Sequence, residues 1–102
     1  MLGIRCFKDC KVDLWVGPAD EFAADQFYSV SCEQDLKRID FVEKQHAVLI
    51  WQEDFVAEDG LRVLRAALEK SVLPRRLTCL LASRDGYMKM REALELLFED
   101  LK

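Results

Sequence analysis

Apolar and polar residues alternate over Ile4–Phe7 and again over Val12–Val16, with the polar stretch Lys8–Lys11 between them. Two short alternating runs around a polar connection predict a β-hairpin. Gly17 and Pro18 follow and end the second strand, because proline lacks the N–H that a ladder needs. Ala47–Trp51 and Leu77–Ala82 are apolar almost without interruption. Such runs fit central strands covered on both faces.

Helical spacing appears in three places. Leu61, Val63, Leu64, Leu68 and Val72 form one amphipathic stripe, with Glu58 and Asp59 ahead of it as first-turn acids and Pro74 as its stop. Tyr87, Met90, Leu94, Leu97 and Leu101 form a second, after a turn at Ser83–Gly86. Residues 19–45 read two ways. Ala23, Phe27 and Val30 suit one helix face, while Phe27–Ser31 taken alone suits a strand. Leu36, Ile39 and Val42 then recur at helical spacing, and Ser31 with Gln34 has the form of a capping box. The expectation is a helix from Cys32 to Glu43 at least. The element order is then β-β-α-β-α-β-α in a single α/β domain, residues 1–102. Its mixed sheet has about four strands and opens with the hairpin, and three to four helices complete it.

Composition sets limits on partners. The chain is 51% hydrophobic and 33% charged, with a formal net charge of −4. That is an ordinary globular balance. The longest basic run is Arg75–Arg76, although Arg62, Arg65 and Arg84 could gather in space. Nucleic acid is not the expected partner, because phosphate contacts need a basic patch. No run approaches the ~20 apolar residues of a membrane span, so no membrane insertion is expected. Met1–Arg5 lacks the features of an export signal. The four cysteines, Cys6, Cys10, Cys32 and Cys79, are therefore expected to be reduced thiols in a cytoplasmic protein.

Candidate chemistry is sparse. His46 is the single histidine, and no Cys-x-x-Cys pair accompanies it, so no metal is expected. Cys32 would sit in the first turn of its helix, where thiols gain reactivity, but no matched base and acid are visible. Glu53 and Asp54 follow one central strand and Asp85 follows the other. Parallel strands bring such ends to one edge, where ligands bind in α/β sheets. Gly-rich phosphate loops are absent, and glycine occurs only four times. The residues thus suggest no catalytic set and no cofactor.

Two local patterns resemble the STAS domain, the family of sulphate-transporter C-terminal domains and bacterial anti-sigma factor antagonists. Gly17–Asp20 looks like the family's G-x-L-D step into its first helix, with Ala19 in place of the leucine. Phe55–Leu64 looks like the family's F-I-D-S-S-G-L-x-x-L, with Phe55, Gly60, Leu61 and Leu64 matching. The family's phosphoacceptor aligns with Glu58, which cannot be phosphorylated, and the preceding Asp aligns with Ala57. The resemblance implies a protein-binding regulatory module of bacterial type, docking through Asp54, Glu58, Asp59, Arg62 and Arg65. The implied partner is a kinase-like anti-sigma factor or a transporter subunit. Glu58 would supply a fixed negative charge where relatives carry a phosphate. A fainter resemblance to macro domains implies an alternative: a nucleotide or ADP-ribose-like ligand, or an enzyme, at the strand-end edge around Cys32, Asp54 and Asp85. The Asn-Ala-Ala-Asn strand end and Gly-rich loops of macro domains are missing.

Overall fold

The computed structural model describes residues 5–18, 20, 23–24, 26–70 and 72–100, without the side chains of 5, 33, 36, 53–60 and 100. It is an α/β fold. Strands β1 (Arg5–Phe7), β2 (Cys10–Val16), β3 (Gln26–Val30), β4 (His46–Trp51) and β5 (Arg76–Leu81) form one sheet in the order β1-β2-β5-β4-β3. Only the β1–β2 pair is antiparallel. Helices α1 (Glu33–Lys37), α2 (Glu53–Leu68) and α3 (Arg84–Asp100) complete it.

The hairpin and both apolar runs fall where the hydrophobic pattern puts them. Phe7 pairs with Cys10, so the turn is the two residues Lys8 and Asp9, at φ 51° and 66°. Positive φ at both central residues is what a tight hairpin demands. β4 lies between β5 and β3, which explains its unbroken apolar run. The steps β3-α1-β4 and β4-α2-β5 cross the sheet in one direction, so right-handed crossovers put both helices on one face. There α2 packs against α3 and α1. The core lies between these helices and the sheet, with Val12, Leu14, Leu49, Trp51, Leu77 and Cys79 below and Leu64, Leu68, Met90 and Leu94 above.

Three expectations need correction. Residues 26–30 are a strand, so the sheet has five strands rather than about four. The helix expected over residues 32–43 stops at Lys37. Ile39 and Phe41 then alternate inward, and Val42 is left exposed. Phe41 stacks edge-on against Tyr28 with ring centroids 6.1 Å apart. Lys70 donates from Nζ to the Ile39 carbonyl at 3.0 Å and ties the segment to the end of α2. Helical spacing of Leu36, Ile39 and Val42 was outweighed by this tertiary packing. Third, α2 starts at Glu53, directly after β4 and Gln52. Glu58 and Asp59 therefore lie in its second turn rather than ahead of it.

The Ser83–Gly86 turn is the capped beginning of α3. The Ser83 hydroxyl accepts the Gly86 N–H at 3.1 Å, and Tyr87 N–H bonds the Ser83 carbonyl at 3.0 Å. A serine in that position satisfies donors a helix start leaves open. After β2, Gly17 takes φ 142°, a region that favours glycine, and bonds the Leu81 carbonyl at 3.1 Å. Gly17, Pro18 and Asp20 thus begin a connection to strand β3, while Ala19 lies outside the described residues.

Candidate docking surface

The strand-end edge carries Cys32 after β3, Gln52 after β4 and Asp85 after β5, so β4 stands between the cysteine and Asp85. Cys32 is exposed and precedes α1, a helix of five residues. Asp35 caps this helix start. Its Oδ2 accepts the Ser31 N–H at 2.8 Å, the Ser31 hydroxyl at 3.0 Å and the Cys32 N–H at 3.3 Å. These bonds hold the Asp35 carboxyl below its usual range. Asp35 thus takes the capping role that the spacing gave to Gln34. The side chains of Glu53, Asp54, Glu58 and Asp59 lie outside the described residues. Arg62 is exposed and Arg65 half-buried on α2. Among the described residues no group of three metal-ligating side chains forms. No helix among them is long and apolar enough to cross a membrane.

All four cysteines are free thiols. Burial pushes Cys79 up to about 12 and Cys10 up to about 11. Both therefore pack as small hydrophobes rather than as nucleophiles.

The face of the sheet opposite α2 and α3 carries a polar network that sequence reading missed. Thr78, fully buried, donates its hydroxyl to Asp13 Oδ1 at 2.6 Å. Asp13 Oδ2 accepts from Arg76 Nη2 at 2.5 Å and Nε at 3.1 Å, and from Trp15 Nε1 at 3.0 Å. His46 Nε2 lies 2.8 Å from Thr78 Oγ1, and Nδ1 lies 3.3 Å from the Ala23 carbonyl. Burial raises the pKa of Asp13, but hydrogen bonds from Arg76, Thr78 and Trp15, with the Arg76 charge, outweigh it and hold the carboxyl below its ordinary 3.8. The arrangement places an acid, a hydroxyl and an imidazole in line. The hydroxyl stands in the middle, buried, with its proton committed to Asp13. It locks β2, β5 and β4 together and leaves no hydroxyl free to attack a substrate. The alternation Asp13–Trp15 and the even positions His46 and Thr78 were visible signals, since each strand sends alternate residues to one face.

A groove of about 430 Å³ opens between the end of β2 and the first half of α3. Leu14, Trp15 and Val16 line it from the strand, and Arg84, Tyr87, Met88 and Arg91 from the helix. Trp15 and Val16 are each 43% exposed and Met88 48%. Large apolar side chains grouped at a surface mark interaction sites. The two arginines make this a cationic spot on a chain of net charge −4. A second cleft, about 520 Å³, is lined by Asp9, Lys11, Arg75 and Arg76, but Arg76 is committed to Asp13 and Asp9 offsets one of the two remaining positive charges. Comparison with protein-family models, curated proteins and solved structures finds no match.

Proposed function

We propose that this chain is a protein-binding module whose docking surface is the groove between β2 and α3. The observation that carries this reading is the cluster of exposed Val16 and Met88 with Arg84 and Arg91 in one groove, with Trp15 at its strand wall. Tryptophan, methionine and arginine are the residue types that interfaces enrich. The lining selects for an occupant that is apolar at its centre and carries carboxylates facing the arginines. Charge complementarity of this kind sets partner choice and association rate. The regulatory partners implied by the STAS resemblance, a kinase-like anti-sigma factor or a transporter subunit, belong to this class. The proposed surface is α3, however, and not the α2 edge around Glu58.

The test is affinity capture from extract on the immobilised chain, run beside Met88→Lys. Met88 is exposed, so lysine there leaves the fold intact while adding a charge to the apolar lining. The expected outcome is a protein retained by the wild-type chain and lost from the variant. Identical capture by both chains would contradict the reading.

A further inference from the structure

The groove selects an apolar and acidic segment, and the chain carries one on its own surface. In the second half of α3, Leu96 is 54% exposed and stands among exposed Glu92, Glu95 and Glu99. We infer that the groove's occupant is this half of α3 from a second copy of the chain, giving a two-fold dimer with antiparallel α3 helices. The inference rests on the docking reading above and names its partner.

The spacing fits. Arg84 and Arg91 are seven residues apart, as are Glu92 and Glu99. Seven residues are two turns, about 10.5 Å along a helix. Centring an antiparallel pair between Arg91 and Glu92 sets Arg84 opposite Glu99 of the partner subunit and Arg91 opposite Glu92 of the partner subunit. In that register Met88 falls opposite Glu95 of the partner subunit and within one residue of the partner subunit's Leu96. A two-fold axis repeats each contact, because an isologous interface uses the same patch twice. A parallel pair would set arginine against arginine and glutamate against glutamate. The charge order along α3 therefore selects the antiparallel arrangement. Arg91 Nε lies 3.4 Å from Glu95 Oε1 of its own helix, but both side chains are substantially exposed. Such a pair is weak and does not hold Arg91 from a second carboxylate.

Sedimentation of the purified chain over a wide concentration range tests this. The expected mass rises toward twice the 11.9 kDa of the chain. Leu96→Lys, Arg84→Glu and Glu99→Arg should each weaken self-association by roughly tenfold or more, since each puts a charge against apolar surface or against its like. The double variant Arg84→Glu/Glu99→Arg should restore it, because the two charges exchange places and the pair re-forms. Circular dichroism of each variant confirms that the helix persists. A wild-type chain that stays monomeric throughout, or a double variant no tighter than its parents, overturns the dimer. If the wild type is monomeric but still captures a protein that Met88→Lys loses, the docking reading stands and the occupant is another protein. If that difference is absent too, both fall.

Discussion

Leu49→Ala is expected to destabilise the fold by about 3–4 kcal/mol, the range for a fully buried leucine whose cavity cannot collapse. Leu49 lies in the middle of β4 with no exposed surface, paired with Tyr28 of β3 and Cys79 of β5. Neighbouring strands hold the backbone on both sides, so the sheet cannot close over the missing atoms. Leu96→Ala removes the same atoms from α3, where Leu96 is 54% exposed, and should cost less than about 0.5 kcal/mol in the monomer. Urea unfolding of both variants beside the wild type checks the contrast. Equal losses would show that Leu49 is not enclosed between the sheet and the helices.

Asp13→Ala is expected to cost about 2–4 kcal/mol, because it strands a fully buried hydroxyl and removes the partner of a charged guanidinium. The figure lies below the fully buried case because the Arg76 side chain is 38% exposed. The effect should depend on pH. Asp13 has a folded pKa below its ordinary 3.8, so its carboxylate stabilises the fold fully above 3.8. That contribution is lost as the pH falls through the lower folded value, where the carboxyl is protonated in both states. Urea midpoints of wild type and Asp13→Ala should therefore differ widely at neutral pH and draw closer at strongly acidic pH, where the stranded Thr78 hydroxyl keeps the remaining gap. A constant gap across the range would show that Asp13 stabilises by packing alone.

Much of the fold was legible because its strands obey simple patterns. Val12–Val16, Ala47–Trp51 and Leu77–Ala82 were each located to within two residues by alternation or by an unbroken apolar run. The region between β2 and β4 was not. Its edge strand is short, with only Val30 fully buried, so the period-2 signal was weak against competing helical spacing. Ile39 and Phe41 are buried through contacts with Tyr28 and Lys70, and no local pattern encodes those. The start of α2 was misplaced because Gly60 interrupts the pattern, whereas the backbone passes through it as helix.

The docking surface was hidden for a different reason. Tyr87, Met90, Leu94 and Leu97 make a clean helical stripe, and all but half-buried Tyr87 are fully buried. Met88 and Leu96 fall outside that stripe, eight residues apart on the polar side. An apolar residue off the stripe is the sequence signal of an unpaired face, and two on one face with arginines before and glutamates after give it a polarity. The weight given to Glu58 came from motif likeness, and the position of Glu58 inside α2 removes the helix-start argument for it.

Oxidative footprinting of methionine tests the central claim most directly. Met88 is 48% exposed and Met90, two residues on, is fully buried, so one helix turn holds both the probe and its control. In the dilute free chain, peroxide should oxidise Met88 quickly and Met90 only on unfolding. In the complex, whether with a second copy or with the captured protein, Met88 should become as slow as Met90. Met88 oxidised at the same rate free and bound would place the docking surface elsewhere and contradict the account.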